Sequence, residues 1–172
     1  MKKGILMALT SASIFLMSFQ LIGWVAYQPK DGHFAAKFPG TPTENANEQK
    51  TGNGTPYSIH VAYYSVSQQE TYAVSWVNIH NIYPAKKTTE ELLLLAKDGA
   101  CKGIKATSAK VLATQKGKYP YIDFTFVAEN IAGHARIYII NDMQYSLLTT
   151  YASEKDVTAD AERFINSFHY TK

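Results

Sequence analysis

Residues 119–151 run YPYIDFTFVAENIAGHARIYIINDMQYSLLTTY, three apolar-rich runs parted by two short turn-like breaks. Aromatic and β-branched residues of this kind fit a pleated surface better than a helix. Alternation sets Ile122, Phe124 and Phe126 on one face of the first run, opposite Tyr121, Asp123, Thr125 and Val127. In the second run Ile137 and Ile139 share a face opposite Arg136 and Tyr138. Breaks this short join neighbouring antiparallel strands, so the stretch predicts a meander at the middle of a sheet. The break at Asn141-Asp142 also bears on register. A two-residue loop would set Ile139 against Gln144 and Ile137 against Ser146, whereas one more loop residue sets them against Tyr145 and Leu147. A one-residue slip exchanges the faces of a strand, and burial of a single apolar face favours the second pairing. The expectation is a bulged three-residue loop over residues 141–143.

The rest of the chain supplies partners for that sheet. Residues 24–27 and 33–38 alternate as two short strands, with Phe34, Ala36 and Phe38 on one face, about a turn at Pro29-Lys30-Asp31-Gly32. Residues 41–56 are polar and rich in Gly, Asn, Pro and charge, predicting a surface loop with a short edge segment at 47–51 and a turn at Gly52-Asn53-Gly54. Residues 57–66 and 71–79 read as strands joined through 67–70; the second is apolar on both faces, as in a strand covered on both sides. Thr88-Thr89-Glu90-Glu91 carries a capping-box signal, and Leu92, Leu95, Ala96 and Gly99 are spaced for one buried helix face, with Gly103 as a stop. Residues 106–115 predict a further strand and Lys116-Gly117-Lys118 a turn into the meander. A closing helix is expected from a Ser153 cap, with Glu154 and Asp156 in its first turn and Val157, Ala161, Phe164, Ile165 and Phe168 on its buried face.

The start of the chain bears on address. Lys2 and Lys3 precede an uncharged run from Gly4 to Pro29, the layout of a bacterial secretory signal and long enough for a single membrane anchor. Leu21-Ile22-Gly23 resembles a lipobox, but Trp24 stands where a lipidated cysteine would be required. The chain thus divides into residues 1–23, a signal peptide or uncleaved anchor, and residues 24–172, one α+β domain of a size that supports its own core. The expected location is periplasmic or secreted, with the membrane engaged only through residues 1–23 if they are retained. Removing Lys2 and Lys3 from the 17 basic residues leaves 15 against 14 acidic ones, a balance that gives nucleic acid no electrostatic reason to bind.

Motifs for chemistry are sparse. The sequence holds no G-x-S-x-G, P-loop, G-x-G-x-x-G or H-E-x-x-H, and no cofactor is expected. Its five histidines, His33, His60, His80, His134 and His169, have none of the local spacings that bring two ligands to one metal, and no metal site is expected. Cys101 stands alone and is read as a small hydrophobe. One cluster stands out: Tyr121, Asp123, His134, Arg136 and Tyr138 fall on the polar faces of adjacent meander strands. If that face were open, donors, acceptors and aromatic platforms would meet there as a ligand or partner site; if covered, Asp123 and Arg136 would form a cross-strand pair.

The order of parts resembles the PsbP-like superfamily: the Asp31-Gly32 turn, Phe34…Phe38-Pro39-Gly40-Thr41-Pro42, the Thr-Glu-Glu-Leu helix start, Ala135-Arg136-Ile137-Tyr138 with Tyr145, and Phe164-Ile165-Asn166-Ser167-Phe168. The resemblance spans nearly all of residues 24–172 and implies an antiparallel sheet sandwiched between helices. The superfamily's characterised members are extrinsic photosystem II subunits or a partner of a nuclear-transport GTPase, which implies a non-catalytic binding module and carries over no site residues. The expected function is an exported binding or assembly-assisting domain that uses its sheet face or loops on a protein partner in the cell envelope. The alternatives are a carrier for a small apolar or aromatic ligand, and an enzyme using the Asp123/His134/Arg136 group.

Overall fold

The computed structural model describes residues 23–80, 82–83, 87–153 and 159–171. The expected leader and the cap region of the closing helix, with Glu154, Asp156 and Val157, lie outside the described residues.

Seven strands form one antiparallel sheet: β3 (Thr43–Lys50), β4 (Pro56–Ser65), β5 (Thr71–Asn78), β6 (Ser108–Gln115), β7 (Tyr121–Ala128), β8 (Ile131–Ile140) and β9 (Met143–Ala152), in the order β3-β4-β5-β9-β8-β7-β6. A smaller sheet joins β1 (Val25–Tyr27), β2 (Phe34–Phe38) and β10 (His169–Tyr170), with β2 in the middle. Helix α1 (Thr89–Gly103) packs on one face of the large sheet over β7 and β8; α2 (Ala159–Ser167) and the small sheet cover the other. The architecture is the expected α+β sandwich of helix, sheet and helix, with the small sheet added to one layer.

The meander sits as predicted, and β5 lies inside the sheet between β4 and β9. Its register does not follow the expectation. Ile139 stands opposite Gln144 and Ile137 opposite Ser146, so the loop is the two-residue Asn141-Asp142 turn without a bulge. Both residues have positive φ, 49° and 61°, which suits the right-handed twist of a hairpin and which Asn and Asp tolerate. The expectation assumed one buried face. Both faces of β8 are covered, so Tyr138 pairs with Tyr145 and Arg136 with Leu147 beneath α2 and the small sheet, while Ile137 and Ile139 face the α1 side.

Three other expectations are corrected. Residues 43–50 are not loop but the full edge strand β3, exposed throughout; composition misled because an edge strand facing water on both sides needs no apolar residue. The buried positions of α1 are Leu93 and Ala96, with Leu94 and Leu95 turned outward, so its face is rotated by about one residue from the predicted one. In a run of four leucines, spacing alone cannot pick the inward one. The closing helix α2 ends at Ser167, so Phe168, expected on its buried face, lies past its end and leads into the short β10, which pairs His169 with Ala35 and Tyr170 with Phe34. The Thr88 capping box forms as predicted: Thr88 Oγ1 accepts from the Glu91 backbone N–H and Glu91 accepts from that of Thr88.

Candidate functional site

Antiparallel pairing of β7 and β8 sets Tyr121 opposite Tyr138, Asp123 opposite Arg136 and Thr125 opposite His134, so all five candidate residues share one face. The Asp123 carboxylate is the hub. Its Oδ1 accepts from His134 Nε2 at 2.5 Å, and its Oδ2 accepts from Arg136 Nε at 2.7 Å and lies 2.5 Å from Nη2. Arg136 Nη1 donates to Asn166 Oδ1 on α2 at 3.1 Å, and its guanidinium lies 4.8 Å from the centre of the Tyr121 ring. Tyr121 meets Tyr138 edge-on, and Tyr138 stacks on Phe168, just past the end of α2, with ring centres 4.6 Å apart.

That last layer decides what the cluster is. Asp123, His134 and Tyr138 are buried and Tyr121 and Arg136 half-buried, so the face expected to offer a site is roofed by α2 and Phe168. Burial alone would raise the Asp123 pKa, but hydrogen bonds from His134 and Arg136 outweigh it and hold the carboxyl below the usual range. Burial likewise opposes the Arg136 charge, and the bonds with Asp123 and Tyr138 more than restore it. Desolvation pushes the Tyr138 phenol up. An acid–base role would need the second imidazole nitrogen of His134 to face a substrate. His134 Nδ1 is instead sealed without a hydrogen-bond partner among the described residues. The trio therefore binds two strands to a helix. Asn166 and Phe168 complete it, and no spacing in the sequence could have connected them with β7 and β8.

Open surface lies elsewhere. On the α1 side the helix spans only the β7–β8 half of the sheet, leaving a groove of about 440 Å³ between it and the other half. Val61, Ala73 and Leu148 make an apolar floor crossed by Ser75, Ser146 and Gln144, with Leu95 among the walls. A second cleft of about 320 Å³ lies between the start of α1 and the β6–β7 turn, lined by Leu93, Leu94, Thr114, Pro120 and Ile122 among others. A third, of about 260 Å³, holds Asp31, Asn78 and the His60 ring stacked on Trp76. None of the three is lined by the Asp123 cluster.

The histidines stay apart: His80 lies 3.3 Å from Asp142, His60 on Trp76, and His134 in the buried trio. Among the described residues no group of three or more His, Cys, Asp or Glu side chains could hold a metal ion, and no helix is long and apolar enough to cross a membrane. Cys101 is half-buried and packs against the α1-side core.

An antiparallel sheet with a helix on one face, and a helix plus an aromatic three-stranded sheet on the other, defines the class. The solution structure of cyanobacterial PsbP (CyanoP) from Synechocystis sp. PCC 6803 superposes with a TM-score of 0.54 at 10% sequence identity, over 89% of this chain and 95% of that one. The chain thus has the PsbP-like fold. No family model and no curated protein matches its sequence.

Proposed function

We propose that the domain is an exported, non-catalytic module that binds, or helps to assemble, a protein partner in the cell envelope. The carrying observation is where its exposed large apolar side chains lie. Of the seven among the described residues, five belong to α1, β6 and β7: Leu94 borders the cleft at the start of α1, Leu95 the groove, Val111 and Leu112 stand on the edge strand β6, and Val127 lies on the other face of β7. The PsbP-like fold supports the same reading, since the superfamily's characterised members are binding subunits. The buried trio contributes by fixing the meander beneath α2. Affinity capture from the host's envelope fraction tests the reading, with one stoichiometric partner as the expected outcome.

A second reading, a carrier for a small apolar or aromatic molecule, is favoured by the groove beside α1. Its volume and its apolar floor with a few polar groups match the make-up of small-ligand sites. Native mass spectrometry separates the two: a retained molecule without a protein partner selects the carrier.

A further inference from the structure

The large sheet ends in two edges, and they are unlike. On β3 every side chain but that of Ala46 is polar, and some are tied to β4, through Ser58 to Glu48 at 2.6 Å and Tyr57 to Gln49 at 2.9 Å. This edge is guarded in the ordinary way, by charge and polarity. On β6, Val111 and Leu112 are 44% and 50% exposed, and no strand pairs with its outer side among the described residues. The β6–β7 register shifts between Val111 and Ala113, dividing the edge into two short ladders around Leu112. The cleft at the start of α1 opens beside the second ladder, with Thr114 and Gln115 of β6 in its wall and Leu93, Leu94 and Ile122 supplying apolar surface.

Charge identifies what such an edge accepts. Residues 102–118 hold Lys102, Lys105, Lys110, Lys116 and Lys118 and no acidic residue. All five are exposed, and only Lys116 has an ion-pair partner among the described residues, Glu90 at 2.9 Å. Two β6 edges brought together would juxtapose these lysines, which disfavours a second copy of the chain. An acidic strand would satisfy them.

We propose that β6 is an acceptor edge for an extended segment of a partner protein in which apolar and acidic residues alternate. The incoming strand pairs with the free backbone groups of β6, places an apolar side chain in the cleft beside α1, and sets its carboxylates among Lys105, Lys110 and Lys118. This rests on the protein-partner reading above and gives it a surface and a partner chemistry.

The test uses the full chain, isotopically labelled, and a ten-residue peptide alternating leucine with glutamate. Binding should shift the amide resonances of β6 and the cleft and slow hydrogen exchange along residues 108–115. A leucine–lysine peptide should bind at least tenfold more weakly, and 0.5 M salt should weaken the glutamate peptide several-fold. The Lys110→Glu/Lys118→Glu variant keeps every buried group and should reverse the peptide preference. Shifts confined to β3 or to the groove, equal binding of both peptides, no binding, or dimerisation through β6 would each overturn the proposal. Envelope capture with the same variant keeps the two readings apart. A partner held equally by wild type and variant removes the edge and leaves the partner reading; no partner for the wild type removes that reading, and the peptide result still decides the edge.

Discussion

The two faces of the seven-stranded sheet are closed to different degrees by different chemistry. Under the small sheet and α2, Phe34, Phe38, Trp76, Tyr72, Tyr145 and Phe164 interlock, mostly edge to face, and seal the surface. Under α1 the core is largely aliphatic, and beyond the reach of that single helix Ile59, Val61 and Leu148 remain half-buried. The difference follows from what covers each side. One fifteen-residue helix is too narrow to roof seven strands, whereas a helix beside a three-stranded sheet is wide enough. Stability should therefore reside on the aromatic side and adaptability on the α1 side.

The largest expected effect breaks the closed face. Phe34 is fully buried and touches Trp76, Tyr145 and Phe168, so Phe34→Ala should cost about 4 kcal/mol, read from the denaturant midpoint. Next comes the ionic part of that face. Asp123→Ala leaves Arg136 and His134 without their acceptor in a nearly dry site and should cost about 3 kcal/mol, most of it recovered when Arg136 is replaced by Met in the same chain. Because the Asp123 carboxyl is held below its unfolded value of ~3.9, its contribution is complete above that pH and is lost as pH falls through the folded value. Asp123→Asn should flatten the acid limb below about pH 4 in unfolding curves taken across that range.

The open face should respond less. Leu148→Ala, in the floor of the groove, is expected to cost only about 1 kcal/mol in the same denaturation assay, since the side chain is only half-buried. A loss near 3 kcal/mol would mean that the groove is closed in solution. The smallest effect sharpens the picture of the aromatic side. The Tyr145 hydroxyl is buried without a partner among the described residues, and burial, aided by nearby Tyr170, pushes its pKa up to about 12. Stability from this group is present below the unfolded value of ~10 and is lost as pH rises from there toward 12. Tyr145→Phe should alter stability at neutral pH by no more than about 0.5 kcal/mol and weaken the alkaline decline, measured by thermal melts up to pH 12.

How much of this was legible depends on the kind of signal each element carries. Alternation in β2, β5 and β7 and the Thr88–Glu91 capping box act within a few residues, and they placed those elements correctly. The β8–β9 register was not local information. Ile137 and Ile139 could have been buried in either pairing, and the choice of Tyr138 opposite Tyr145 depends on β2 and α2 arriving from both ends of the chain. The candidate cluster divides the same way. Strand period alone brought Tyr121, Asp123, His134, Arg136 and Tyr138 to one face, but whether that face was open depended on Asn166 and Phe168, about thirty residues on.

By itself, then, the sequence determined most of the strands and both helices, though not β3 or β10, which residues of each meander strand share a face, and that the meander forms the middle of the sheet. Those are consequences of backbone periodicity and turn chemistry, each confined to a short window. Tertiary structure decided which face is sealed, that Asp123 holds two strands beneath α2, and that β6 rather than β3 is left with exposed apolar side chains among lysines of which only Lys116 has an ion-pair partner among the described residues. Burial and pairing belong to surfaces brought together from distant parts of the chain, and no short window contains both halves of such a contact.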